Sequence, residues 1–325
     1  MKARKAVKIL KVKWLLTSNQ ESLLIRLPVL PEYESLLTDF HKVEEIPVVG
    51  GFDGEFEIVD EPGKKGRFEL KGEKYVARGD FSELVRQTRD MRYSFFGNEG
   101  SLYRQTLKIL EDKYGIFSFH ACAMYQPKGN KLFLIIGSAG SGKSCFLLRG
   151  MPMGLELLTA EMGHFSIDKA GVKFYKGALV DNVRIGNLKY NYPFFLEKLG
   201  VKLGCAENEW GKKIALDMGR FQTKRDVIEN PRLIMILPRV EQGRKEYFSQ
   251  VEKDSQKVSR VLFENASEKI GQSVLLFEAL PFVCLDSPES ARRRLGAIQA
   301  LLDYEKLEKV VSIVSGPQDC WKNLV

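Results

Sequence analysis

The sequence predicts an α/β fold: a mixed sheet built around a glycine-rich loop, with a smaller β-rich domain ahead of it. Three observations carry this. Up to about Arg78 the chain alternates short apolar runs with turn sequences. Between 80 and 115 the apolar period becomes helical. From Ile116 onward strand-like runs return, several joined by links of hairpin length, with a strand, glycine loop and helix start in their midst. A chain of 325 residues holds one large or two ordinary domains. The expected segments are a β-rich domain at 1–79, a helical connector at 80–115 and a larger α/β domain, carrying the glycine-rich loop, at 116–325.

In order, the first strands expected are Glu55-Phe56-Glu57-Ile58-Val59, Arg67-Phe68-Glu69-Leu70 and Lys74-Tyr75-Val76-Ala77. They are parted by Glu61-Pro62-Gly63-Lys64-Lys65-Gly66 and Lys71-Gly72-Glu73, both turn sequences, so a β-meander is the expected arrangement. Asp80-Phe81-Ser82-Glu83 has the pattern of a helix cap, opening a helix to about Phe95. A second helix is expected over Ser101–Tyr114, with Leu102, Thr106, Ile109 and Leu110 on one face and Gly115 as its stop. Ile116 to Tyr125 then reads as a strand, Gln126–Asn130 as a turn, and Lys131–Ile136 as the strand that feeds the glycine loop. Beyond the loop helix, Leu155–Thr159 is a strand, and Phe165 to Tyr175 is a hairpin turning at Asp168-Lys169-Ala170-Gly171. Later strands are expected at Arg232–Leu237, Val274–Phe277 and Val310–Val314. Residues 182–225 lack a clear period and read as loops with short elements, a usual place for substrate contacts.

Composition narrows the function classes. At 44% hydrophobic and 28% charged residues the chain is an ordinary globular sequence. No apolar run approaches the ~20 residues of a membrane span, and lysines interrupt the N-terminal stretch where a signal peptide needs an apolar core. Five scattered cysteines without a C-x-x-C, and only three histidines, fit neither a disulfide framework nor a zinc site. A reducing cytoplasm is expected. The net charge of +8 is spread along the chain. Its sharpest cluster, Arg292-Arg293-Arg294, lies on a helix expected to begin near Asp286-Ser287-Pro288 and reads as a solvated helix face, with an anion or partner patch as the alternative.

The chemistry sits in Gly137-Ser138-Ala139-Gly140-Ser141-Gly142-Lys143-Ser144, which matches the phosphate-binding pattern G-x-x-x-x-G-K-[ST] in the context that pattern needs. Glycines let the backbone approach a phosphate chain closely, and successive N–H groups at a helix start converge on it. Lys143 is expected to neutralise the β/γ charge, and the Ser144 hydroxyl to hold Mg²⁺. The expected nucleotide contacts therefore run from Gly137 to Ser144 and include Cys145 beyond it. Phosphoryl transfer also needs a metal-ordering carboxylate and a group that orients the acceptor. Glu161 is the first carboxylate past the next strand, and His120 stands in the strand before the loop strand. Their bland alternatives are a solvated acid at a strand end and a hydrogen-bonded core histidine.

The series Phe119-His120-Ala121-Cys122-Ala123, the 137–144 loop, Leu148-Arg149-Gly150 and Leu157-Leu158-Thr159-Ala160-Glu161 resembles the kinase domain of HPr kinase/phosphorylase and its relatives, which share a core with the phosphoenolpyruvate carboxykinases. The resemblance is specific over about residues 116–175. It implies a P-loop core in which Lys143 and Ser144 hold the triphosphate and Mg²⁺, His120 is the strand histidine, and Glu161 matches the second of two paired acids. Ala160 replaces the first.

The function expected is therefore an ATP- or GTP-dependent, Mg²⁺-dependent kinase that phosphorylates a hydroxyl of a protein serine or a small molecule. The catalytic candidates are His120, Lys143 and Glu161, with Ser144 and Glu161 as metal ligands. The alternative is a nucleotide-binding regulatory module without catalysis, which Ala160 favours. A nucleic-acid-acting NTPase has only the charge in its favour. The expected partners are a nucleotide and a protein or small-molecule acceptor, without a membrane or nucleic acid; a homo-oligomer is compatible with the sequence.

Overall fold

The computed structural model describes residues 2–24, 40, 42–71, 74–81, 95–97, 100–200, 208–276, 280–282 and 284–324. Six strands come first: β1 (Ala3–Ile9), β2 (Val12–Ser18), β3 (Val43–Ile46), β4 (Gly54–Asp60), β5 (Arg67–Lys71) and β6 (Lys74–Gly79). Helix α1 (Ser101–Tyr114) follows, then β7 (Phe117–Gln126), β8 (Lys131–Ile136) and α2 (Lys143–Gly150). Next are β9 (Glu156–Thr159), β10 (Met162–Asp168), β11 (Gly171–Tyr175) and β12 (Val180–Arg184). A π-helical turn (Asn187–Asn191) and α3 (Pro193–Leu199) lead to β13 (Lys213–Asp217), β14 (Val227–Glu229), β15 (Arg232–Val240) and β16 (Phe248–Val251). The chain closes with α4 (Ser255–Gly271), β17 (Val274–Leu276), β18 (Leu280–Phe282), α5 (Pro288–Leu302) and β19 (Leu307–Ser315). The expected helix over 80–95 lies almost wholly outside the described residues. Among the described residues no helix is long and apolar enough to cross a membrane.

The chain divides into two compact units, Met1–Phe117 with Ser267–Arg294, and Ser118–Ala266 with Leu295–Val325.

In the first unit a six-stranded sheet runs β3-β1-β2-β4-β6-β5. It is not the expected meander: β2 pairs parallel to β4, and β4 parallel to β6. The six residues 61–66 exceed a tight turn. They carry the chain past the place beside β4, which β6 takes after its antiparallel pairing with β5. Trp14, Leu16, Phe56, Ile58 and Val76 are buried within this unit. Helix α1 stops at Gly115, whose φ of 60° is the left-handed cap expected there. It is buried well beyond one face, with Tyr103, Arg104, Gln105, Leu107 and Glu111 enclosed as well as the four predicted positions. The indole N–H of Trp14 donates to Thr106 Oγ1 at 3.0 Å, tying β2 to the helix.

The arginine cluster is corrected at one position. Arg294 is fully buried, at 0% exposure, rather than solvated. Two residues along a helix is a turn of about 200°, so Arg292 stays outside while Arg294 faces inward. Its guanidinium bonds both oxygens of Glu111, at 3.0 and 2.9 Å, and both oxygens of Asp286, at 3.1 and 2.9 Å. Ser267 Oγ completes the set at 2.8 Å. Arg293 pairs with Asp112 and Glu289.

The second unit is a nine-stranded mixed sheet in the order β14-β11-β10-β7-β8-β15-β19-β16, with β9 paired to β7. The loop strand β8 is antiparallel to β7 and parallel to β15, which is parallel to β19. The fold is thus α/β with mixed sheets, as expected. The hairpin β10–β11 also forms as read. One apolar cluster joins Phe133 and Ile135 of β8, Phe146 and Leu147 of α2, Leu157 and Ala160, and Trp321. Trp321 packs edge-on against Phe133 and Phe146 and donates its indole N–H to Phe146 O at 2.8 Å. Separately, β12 and β13 form an antiparallel ribbon within the poorly patterned segment.

Replacing Arg294 strands the buried Glu111 carboxylate. Arg294→Met is expected to cost about 3–5 kcal/mol in urea unfolding, and Arg294→Met with Glu111→Leu to recover most of that loss; an Arg294→Met protein as stable as wild type would show that the pairs are not formed.

Candidate functional site around the glycine loop

Strand β8 is buried from Leu132 to Ile136 and delivers the chain to Gly137. Gly140 and Gly142 have φ of 85° and 104°, left-handed values that favour glycine. A Cβ on Gly142 would also drive into the Val240 side chain. Helix α2 starts at Lys143, and the Cys145 N–H bonds Gly142 O at 2.9 Å.

Lys143 is 7% exposed, and its ammonium folds back over the loop. It donates to Gly137 O at 2.8 Å and Ser138 O at 3.2 Å, and lies 2.9 Å from His120 Nε2. The same Nε2 lies 2.9 Å from Glu161 Oε1. One ring nitrogen therefore stands between an ammonium and a carboxylate. Unprotonated, it accepts from Lys143; protonated, it donates to Glu161. A protonation change at this atom swaps its partner.

The backbone fixes this imidazole. His120 lies on β7, next to the Ala121–Ile136 pairing with β8. Asn265 of α4 clamps it: the His120 N–H donates to Asn265 Oδ1 at 2.9 Å, and Asn265 Nδ2 donates to His120 O at 3.3 Å. The Ala121 N–H donates to Glu161 O at 3.0 Å, which holds Glu161 beside the histidine. The Glu161 side chain is one-third exposed, so this corner of the site meets solvent.

A carboxylate the sequence reading missed completes the group. Asp181 on β12 is 3% exposed and lies near enough to the Ser144 hydroxyl for that group to lower its pKa. Burial, then the charge of Glu161, pushes its carboxyl up to about 7, against the lowering by Ser144 and Lys143. Its Oδ2 is buried without a hydrogen-bond partner among the described residues. A signal for it existed in sequence: Asp181 and Val183 share one face of an alternating strand, and both are buried. Asn265 carried no such signal. Ala160, in place of an acid, puts its methyl in the apolar cluster, and its N–H donates to Ala178 O at 2.7 Å.

The structure thus brings together Lys143, His120 and Glu161, and sets Ser144 beside Asp181. The Cys145 thiol points into the core, where burial pushes it up to about 12. Among the described residues no group of three or more His, Cys, Asp or Glu forms a ready metal cage. Magnesium at a phosphate site asks for less: one or two carboxylates, with water and phosphate oxygens as the rest. The orphaned Asp181 Oδ2 beside the Ser144 hydroxyl fits that demand, and the open glycine loop fits a phosphate chain. No protein-family model matches the chain, and no curated protein matches it.

Asp181 also makes stability depend on pH. A folded value near 7 against an unfolded value near 3.8 means the folded protein holds a proton that the unfolded chain has released. Its stabilisation is therefore full at low pH and lost as pH rises toward 7. Relative to Asp181→Asn, wild type is expected to lose stability as pH rises toward 7 and to level above that. Parallel pH–stability curves for the two proteins in denaturant melts would contradict this.

Proposed function

We propose that the chain is a Mg²⁺-dependent nucleotide kinase that transfers the γ-phosphoryl group of ATP or GTP to a hydroxyl of a protein serine or a small molecule. The observation that carries the reading is the convergence of Lys143, His120, Glu161 and the Ser144–Asp181 pair at one glycine loop. The resemblance of residues 116–175 to HPr kinase/phosphorylase supports the same chemistry, on a P-loop core. Four free cysteines among the described residues suit a reducing cytoplasm.

Each residue has a task in this reading. Lys143 leaves the Gly137 and Ser138 carbonyls for the β/γ-phosphates. Ser144 and Asp181, with Glu161 as a further carboxylate, would hold Mg²⁺, which would supply charge neutralisation at the phosphate oxygens. His120 accepts the proton of the acceptor hydroxyl at Nε2, and Glu161 stabilises the imidazolium that results. The acceptor oxygen then forms its bond to the γ-phosphorus as the bond to the nucleoside diphosphate breaks. The transition state is loose, so positioning counts for more than base strength. That makes the loss of the acid at Ala160 tolerable, with Asp181 supplying a second carboxylate.

Ala160 favours a second reading, in which nucleotide is bound but not turned over. Turnover separates the two. Lys143→Ala is expected to weaken nucleotide binding at least tenfold in calorimetry, and undiminished affinity would sink the phosphate site. His120→Ala is expected to slow turnover by about 10²–10⁴ while affinity barely changes. Full turnover in that variant would remove His120 from catalysis, and binding without any turnover in wild type would favour the regulatory module.

A further inference from the structure

Strands β8, β15 and β19 run parallel, so their carboxyl ends open on the same side of the sheet. In open α/β sheets, ligands gather outside those ends. The first end leads into the glycine loop. The second, Val240, is followed two residues on by Gln242, and the third, Ser315, three residues on by Gln318. The ends are joined: the Val240 N–H donates to Ser141 O, and the Glu241 N–H to Ser315 O, both at 2.9 Å.

Four carboxamides meet there. Asn191 Nδ2 donates to Gln242 Oε1 at 3.0 Å and to Asn187 Oδ1 at 2.9 Å. Gln318 Nε2 donates to Asn191 O at 2.7 Å. Asn187 Nδ2 reaches the Sγ of Cys145, the residue after Ser144, at 3.8 Å. The two asparagines bound a π-helical turn, a rare form concentrated at functional sites. Nothing in the proposed phosphoryl transfer uses this group.

We propose that Asn191 and Gln242, backed by Asn187 and Gln318, read the adenine ring of the bound nucleotide. The inference rests on phosphate binding at residues 137–144. Lys143, beside His120, marks the β/γ end of the phosphate chain. Asn187 reaches the Cys145 side chain of the loop helix, and Val240, two residues before Gln242, bonds the loop at Ser141 O, so the group flanks the loop on the side away from His120, where the base site is proposed. Their chemistry selects the base. A carboxamide carries a donor and an acceptor side by side and pairs with the N6/N7 edge of adenine, whereas the guanine edge shows two acceptors and suits Arg or Lys.

The test is calorimetry of wild type, Asn191→Ala and Gln242→Ala with Mg²⁺ and ATP, GTP or inorganic tripolyphosphate, which has the phosphate chain without a base. Gln242 is exposed, so its variant keeps the fold. Wild type is expected to bind ATP about tenfold more tightly than GTP. Each variant is expected to lose about tenfold in ATP affinity, to narrow the ATP/GTP ratio and to bind tripolyphosphate as wild type does. Unchanged ATP affinity in both variants, or equal losses of ATP and tripolyphosphate, would overturn the base site while leaving the phosphate site standing. If wild type binds neither ATP nor tripolyphosphate, the phosphate site itself fails and the base site with it.

Discussion

The Lys143 ammonium is the charge around which the second unit's site is built. A buried ammonium costs several kcal/mol unless it is hydrogen-bonded and paired. Here it is met by two loop carbonyls and an imidazole, with the carboxylates of Asp181 and Glu161 close by. That need bends the loop back on its own lysine and brings β7 and β8 into the same small volume. The same contacts would be exchanged for phosphate oxygens in the proposed kinase. The charge balance persists, because the lysine trades neutral acceptors for anionic ones.

Sheet topology decides which groups reach this lysine. An antiparallel β7 places His120 beside the end of β8, something a purely parallel sheet would reserve for a residue far along the chain. The parallel neighbour β15 instead closes the loop's other flank through Val240 and Ser141. The ribbon β12–β13 brings Asp181 in from a third direction. One loop thus has an imidazole and a carboxylate on its antiparallel flank and carboxamides beyond its parallel one.

Local patterns in the chain foretold local structure. The glycine loop, its flanking strand and helix, the β10–β11 hairpin and the Gly115 stop all rest on residue types within a few positions of one another. What depends on distant partners was hidden. The runs at β4, β5 and β6 were visible as strands, yet their parallel pairing follows from where a six-residue link lets the chain travel. Arg294 looks like its two neighbours in sequence and differs only because Glu111 and Asp286 await it on the inner side of the helix. Asp181, 37 residues beyond Ser144 by their numbering, shows a local signal in its alternation with Val183 but nothing that names Ser144 as its neighbour. His120 and Glu161 were readable as candidates from position alone. Asn265, which orients His120, was not, since an asparagine in a helix has no pattern that names its target.

The central claim is that residues 137–145 hold the phosphates of a nucleotide. Hydrogen–deuterium exchange of the full chain, with and without Mg²⁺ and ATP, tests it at the backbone N–H groups themselves. Peptides covering 137–145 are expected to exchange more slowly with nucleotide present, because the loop amides not already bonded within the fold would be bonded to phosphate oxygens. Unchanged exchange across that loop at saturating nucleotide, or protection elsewhere in the chain without protection there, would contradict it.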